Sequence, residues 1–203
     1  SLVTLRETMQ NKEAKKPNAL SFFGPQQVGK STIAKHICAK YPERFRYRNF
    51  AGPLYAMAEA FYGEIPTEKE APQELSGGKS LRQFLQLLGT EFGREMISQD
   101  VWMNQLRLGI AKDNAAGLIT VVDDCRFVNE YEMLTEAGAV HIEVSRKGHG
   151  PKGTHLSEID WQNFSADALL HNSFDTMAEY EDYAEGIALA CASVELGKLT
   201  SRQ

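Results

Sequence analysis

The chain has 203 residues, of which 42% are hydrophobic and 24% charged, with a formal net charge of −5. That length suits one α/β domain with its own core, and the composition is that of a globular protein rather than a disordered one. The acidic balance argues against a dedicated nucleic-acid binder, and no apolar stretch reaches membrane-spanning length. No signal-peptide pattern precedes the first strand, and Cys38, Cys125 and Cys191 form neither a disulfide framework nor a zinc pattern, so a cytoplasmic location is expected.

Residues 1–18 are polar, end in Lys15-Lys16-Pro17-Asn18, and read as an N-terminal extension ahead of a single domain over 19–203. Ala19–Phe23 reads as a buried strand. It runs into Gly24-Pro25-Gln26-Gln27-Val28-Gly29-Lys30-Ser31-Thr32, the phosphate-binding pattern G-x-x-x-x-G-K-[ST], with a helix continuing from Ile33. Gly24 and Gly29 admit backbone angles that a Cβ would forbid, so successive N–H groups can converge on one anion. The dipole of the following helix adds to that field. Gln26, Gln27, Val28 and Thr32 belong to the same cradle, Lys30 can reach the β- and γ-phosphates, and the Ser31 hydroxyl is placed for Mg²⁺. The expected ligand is a nucleoside triphosphate.

Arg44–Phe50 alternates as a strand does, and Ala51-Gly52-Pro53-Leu54 opens a helical stretch through Met57 and Phe61. The segment 63–79 is rich in Pro, Gly and Glu and reads as a loop. Ser80 and Gln83 have capping-box spacing. Leu81, Leu85, Leu88 and Phe92 then predict a buried helical face, and Arg82, Gln86, Thr90 and Arg94 a polar stripe drifting slowly around the helix. Leu118–Asp124 is a nearly all-apolar strand ending in two carboxylates, at the sheet edge where open α/β folds bind ligands. Asp123 is thus a metal candidate beside Ser31, the bland alternative being that the Asp pair caps the next helix. Asp124 is expected to orient Arg126, a bidentate anion clamp. Gly138–Val144 is another strand, residues 146–153 form a basic, glycine-rich loop that reads as a lid, and Ala168–His171 is a short last strand. The terminal helix is expected to turn Met177, Tyr180, Ala184, Ile187, Cys191 and Val194 to the core. Together these elements predict an α/β P-loop fold of three layers. Its mostly parallel sheet would have about five strands, with a helical insertion over about 51–107 and a lid over about 146–155.

Several strings, in order, resemble the bacteriophage-type deoxynucleoside monophosphate kinases. These are Phe50-Ala51-Gly52-Pro53-Leu54, the run Ser80–Arg94, Asp100-Val101-Trp102, Asp124-x-Arg126-Phe127-x-Asn129-Glu130, His155-x-Ser157-Glu158 and the turn Asn172–Thr176. The resemblance implies transfer of the γ-phosphoryl of ATP to a deoxynucleoside 5′-monophosphate with Mg²⁺, in the host cytoplasm if the chain is phage-encoded. By resemblance the phosphate loop holds ATP, and Arg82, Arg94 and Arg126 hold the acceptor phosphate. Asp124 lies beside the acceptor, Phe50 and Trp102 touch its base or sugar, and Gln86, Glu91 and Glu158 complete the acceptor set. Arg146 is the lid arginine, so the catalytic set is Lys30, Asp124, Arg126 and Arg146. A homodimer is implied by resemblance alone. Asp123, Val128, Tyr55 and the glycine-free Asn172-Ser173-Phe174 depart from the family pattern. Two rival readings remain open: related phage kinases phosphorylate 5-hydroxymethyluracil within DNA, which would need Asp124 as a general base, and an ATP-binding switch would need no arginines aimed at a second phosphate.

Overall fold

Runs of four or five apolar residues become parallel strands here because neighbours cover both their faces. In the computed structural model, which describes residues 16–153 and 156–192, β1 (Ala19–Phe23) is buried at every position. It is followed by α1 (Lys30–Lys40), β2 (Phe45–Tyr47), α2 (Gly52–Tyr62) and α3 (Leu81–Gln86), which runs on as a π-helix over Leu87–Ile97. Then come α4 (Val101–Ala115), β3 (Ile119–Val122), α5 (Val128–Glu136), β4 (Ala139–Arg146), α6 (Leu156–Ile159), β5 (Ala168–Asn172) and α7 (Met177–Cys191). Residues 1–15, His155 and Val194, on which some of the expectations above fall, lie outside the described residues.

All strand pairs are parallel, in the order β2-β3-β1-β4-β5. Strand alternation divides the core. Leu20, Phe22, Val121, Ile142 and Val144 pack with α1 and α7, whereas Val122 packs with Phe50, Leu106, Ile110, Met133 and Leu134 beneath α4 and α5. The strands therefore share one C-terminal edge. Gly24, Asn49, Asp123, Arg146 and Asn172 all fall at or just past it, which is how a parallel sheet gathers residues far apart in sequence.

The capping box forms as spaced: Ser80 Oγ accepts from the Gln83 N–H, and Gln83 Oε1 accepts from the Ser80 N–H. Two expected faces are corrected. Phe92 is 43% exposed, because from Leu87 the helix bonds i→i+5 and the widened turn carries it off the Leu81 face. Met177 is 66% exposed at the first position of α7, whose buried side is Tyr180, Ala184, Ala188 and Leu189.

The β2 edge is tied to α4 by an ion pair: Arg48 Nε and Nη2 donate to Asp113 at 2.6 and 2.7 Å, and Thr120 Oγ donates to Asp113 at 2.9 Å. Burial alone would push the Asp113 carboxyl up. The Arg48 and Thr120 hydrogen bonds with the Arg48 charge outweigh it and hold the group below the usual carboxylate range. Its ionised form therefore stabilises the fold at all pH values above about 4, and that contribution is lost as pH falls below the unfolded value. Asp113, only 4% exposed, predicts that Asp113→Asn costs about 3 kcal/mol at pH 7, because Arg48 loses its charge partner. In thermal melts the variant should also lose less stability than the parent between pH 5 and pH 2. An unchanged melting temperature at pH 7 would contradict this.

Candidate active site

The phosphate loop owes its shape to three left-handed residues, Gly24 (φ 132°), Gln27 (φ 60°) and Gly29 (φ 110°). A Cβ on Gly24 would sit 2.3 Å from the Val144 carbonyl oxygen, and one on Gly29 2.6 Å from the Tyr180 ring. The loop's carbonyls are tied backwards. Asn172 Nδ2 donates to Val28 O and the Tyr180 hydroxyl to Gly29 O, each at 2.9 Å, while Lys30 Nζ donates to Gly24 O at 2.9 Å and to Pro25 O. The N–H groups from Gln26 to Thr32 donate to no described residue. A row of uncommitted amides at a helix N-terminus is an anion cradle. Burial, then the Arg126 charge, pushes the Lys30 ammonium down to about 8 against the pull of Asp123 and Glu158. A phosphate on the loop would favour its charged form.

Beside the loop lies a cavity of about 310 Å³ whose walls include Thr32, Arg146, Asn172, Phe174, Thr176 and Tyr180. The turn after β5 and the end of β4 thus meet next to the cradle.

Ser31 opens α1, and Asp123 follows β3. Both Asp123 oxygens accept from the Tyr47 hydroxyl, at 2.9 and 2.8 Å, and that hydroxyl accepts from Asn49 Nδ2 at 3.1 Å. Burial, with the Asp123 charge, pushes the Tyr47 hydroxyl well above its ordinary value, so it remains a donor at neutral pH. A serine hydroxyl and a carboxylate are hard oxygen donors of the kind Mg²⁺ takes.

Asp124 goes elsewhere. Its oxygens accept the N–H groups of Phe50 (3.0 Å) and Ala51 (3.2 Å), which fastens the start of α2 to the sheet edge. Burial, together with the Asp123 and Glu130 charges, pushes its carboxyl up to about 7 despite those two hydrogen bonds. The expected Asp124–Arg126 pairing gives way to these amides. Neither Asp caps α5. Glu130 does so, accepting the N–H groups of Arg126 (2.9 Å) and Phe127 (3.2 Å).

A second cavity, of about 410 Å³, brings together six residues that sequence had grouped as acceptor-binding: Phe50, Gln86, Arg94, Trp102, Asp124 and Arg126. Three expected members lie elsewhere. Arg82 stands exposed on α3, paired with Glu70. Glu91 is exposed on the π-helix. Glu158 is buried against the phosphate loop, accepting from Gln26 Nε2 at 2.9 Å and from the Lys152 N–H at 3.3 Å. The split follows from helix geometry: α-helical spacing leaves Arg82 outside, whereas π-helical widening keeps Gln86, Thr90 and Arg94 along one wall. Trp102 sets that wall. Its indole N–H donates to Gly89 O at 2.8 Å, and its ring lies where a Gly93 Cβ would be, 2.4 Å away.

Sequence reasoning missed Tyr47, Tyr180 and the anchoring role of Glu130. Tyr180 is 151 positions from Gly29, and no local pattern marks it. Glu130, three residues after Phe127, carried a readable capping signal.

The loop geometry predicts that Gly29→Ala, which adds strain at positive φ and a clash with Tyr180, weakens binding of a non-hydrolysable ATP analogue by more than about tenfold in calorimetry. Tyr180→Phe, which removes one of the two hydrogen bonds on the Gly29 carbonyl and leaves it the Ile33 N–H, should cost about 1 kcal/mol in stability. Unchanged affinity in Gly29→Ala would contradict the assignment of the cradle.

A comparison with family models matches residues 70–182 to the deoxynucleotide monophosphate kinases. A protein of Acanthamoeba polyphaga mimivirus, provisionally named a deoxynucleotide monophosphate kinase, is 26% identical over 173 residues, spanning 76% of this chain and 88% of its own length. The deoxynucleoside-5′-monophosphate kinase of Escherichia phage T5 is 39% identical over 112 residues, 55% of this chain and 43% of that protein. Among solved structures, a gluconokinase from Sinorhizobium meliloti overlays with a TM-score of 0.42 at 11% identity, covering 88% of this chain and 95% of that one. A shikimate kinase from Acinetobacter baumannii gives 0.41 at 12%, covering 90% and 96%. With the matched segment running from before the capping box into α7, and so through the Gln86–Trp102 wall of the second cavity, Asp123, Asp124 and Arg126, the chain belongs to the deoxynucleotide monophosphate kinase family.

Proposed function

We propose that this kinase transfers the γ-phosphoryl of ATP to the 5′-phosphate of a deoxynucleoside monophosphate, releasing ADP and the diphosphate. The carrying observation is a pair of separate cavities, one of about 310 Å³ walled by the phosphate-loop residues Gln27, Gly29 and Thr32, the other of about 410 Å³ walled by Arg94 and Arg126, whose Arg126 charge is felt at Lys30. ATP lays its triphosphate on the free loop amides and Lys30, and its base in the cavity walled by Arg146 and Phe174. Ser31 and Asp123 would hold Mg²⁺, whose charge offsets that developing on the β- and γ-phosphates. Arg94 and Arg126 hold the acceptor phosphate, and Phe50 and Trp102 flank its sugar or base.

The acceptor is a phosphate with a second pKa near 6, so it arrives ionised and needs no base. Positioning and charge neutralisation carry the rate. Asp124 acts by fixing the start of α2, the wall against which the acceptor rests. The Gln26–Glu158–Lys152 contacts draw the lid segment onto the loop and keep water from the transferring group. A hydroxymethyl group on DNA would need a general base, and Asp124, with both oxygens on backbone amides, is badly arranged for that work.

The test is ADP release from Mg-ATP with each deoxynucleoside monophosphate. Turnover on at least one is expected. Arg126→Ala should lower kcat about 10²–10³-fold, the scale for losing one transition-state charge partner. Arg94→Ala should act chiefly through the KM of the monophosphate, and Arg82→Ala should change either constant by less than about threefold because that side chain is solvated. No turnover on any free monophosphate, or an inert Arg126→Ala, would overturn the reading.

A further inference from the structure

A cavity of about 680 Å³ belongs to neither pocket above. It lies behind α2. Its walls are Lys35 of α1, Tyr47 and Asn49 at the end of β2, Tyr55 on the outer side of α2, Arg48, and Gln105 of α4. We infer that this cavity is a second nucleotide site, regulatory rather than catalytic, whose ligand is a deoxynucleoside triphosphate.

The lining chemistry carries the assignment. No carboxylate lines the cavity, although acidic residues outnumber basic ones in the chain. Lys35 has no carboxylate within ion-pair distance among the described residues. Arg48 spends Nε and Nη2 on Asp113 and keeps Nη1 uncommitted. Lys69 donates to the Tyr55 hydroxyl at 3.2 Å and stands 5.5 Å from that ring, which adds a third cation at the rim. Two lysines without a carboxylate partner among the described residues, with the Arg48 Nη1 as a further donor, suit an anion carrying several charges. Two tyrosine rings suit a flat base, and the Asn49 and Gln105 carboxamides can both donate to and accept from its edge. Tyr55 also stands where the family pattern often has lysine, so the aromatic wall is a property of this chain.

Position supplies the regulation. Phe50, Ala51 and Leu54 of the α2 segment line the acceptor pocket, and Gly52, Tyr55 and Ala56 line this one, so the segment is a shared wall. Tyr47 holds both oxygens of Asp123, and Asn49 holds Tyr47. A ligand that engages Tyr47 or Asn49 alters the hold on Asp123, a coupling that rests on the proposed role of Asp123 at the catalytic centre. A deoxynucleoside triphosphate is what the diphosphate product becomes on gaining one more phosphoryl group, so the site would sense accumulated end product.

The test titrates each of the four deoxynucleoside triphosphates into full-length protein already saturated with AMP-PNP and a deoxynucleoside monophosphate, by calorimetry. At least one should bind, and in the kinetic assay it should lower kcat in a manner that excess ATP does not relieve. Gln105→Trp, which narrows the cavity, and Lys35→Glu, which reverses the charge at that wall, should each weaken that binding by about tenfold or more. Both should leave the KM values for ATP and monophosphate within about twofold. Absence of binding to the saturated protein, inhibition purely competitive with ATP, or binding that survives both variants would overturn the proposal. If the unvaried protein lacked kinase turnover, the calorimetry would still decide the second site, so failure of the proposed reaction and failure of this site are separable.

Discussion

The phosphate-loop cradle depends on a close approach between the beginning and the end of the described chain. The loop after β1 can turn its amides to an anion only while its carbonyls are kept turned away. Asn172 and Tyr180, from β5 and α7, do that. Gly29 has to lack a Cβ because the Tyr180 ring occupies that space. The contact in turn needs α7 seated against α1. Besides the shared apolar core, buried Glu185 gathers His36, Lys40 and Tyr41 from the end of α1 and the residue after it. The phosphate-loop cradle is therefore complete only when the last strand and helix have packed, so an anion bound there would stabilise the packed C-terminal elements.

Two adjacent carboxylates show how the sheet edge divides labour. Asp123 and Asp124 follow the same strand, so alternation sends them to opposite sides. Asp123 meets the Tyr47 hydroxyl on the side of α1 and the phosphate loop. Asp124 meets the amides that begin α2 on the side of the second cavity. One stays available as a hard oxygen donor, and the other becomes a structural anchor whose burial raises its carboxyl to about 7. Mutual repulsion contributes to that rise, so charge placed near Asp123 relieves Asp124 as well.

The wall of the second cavity is set by helix geometry rather than by residue type. Gln86, Thr90 and Arg94 share the cavity because the helix widens to π bonding at Leu87, and the widening is stabilised where the Trp102 indole caps the Gly89 carbonyl and lies over Gly93. Such a segment puts three polar side chains on one line without supercoiling. It also leaves Phe92, Met96 and Ile97 exposed on the outer side, where a regular helix would have turned some of them inward.

What is local was legible in the amino-acid sequence. β1, the phosphate loop and α1 are one contiguous string in which strand burial, glycine freedom and helix start reinforce each other. The Ser80–Gln83 capping box and the pairing of apolar strands with polar ends are of the same kind. Arg94, Trp102 and Arg126, which line the second cavity, could also be named from ordered motifs. Their grouping could not. Whether Arg82 joins Arg94 in the pocket or pairs with Glu70 at the surface turns on helix pitch, and the four-residue stripe suits either pitch. Glu158 leaves the acceptor set for the phosphate loop because the chain after β4 folds back over Gln26. Tyr47 and Tyr180 carry no local sign of the carboxylate and carbonyl they hold, since each partner comes from another strand or from 151 positions away. The sequence by itself determined the cradle and the sheet, because backbone freedom and apolar periodicity are properties of neighbours along the chain. Only the tertiary structure decided which side chains face each cavity, because that depends on how separate helices pack across the shared edge of the sheet.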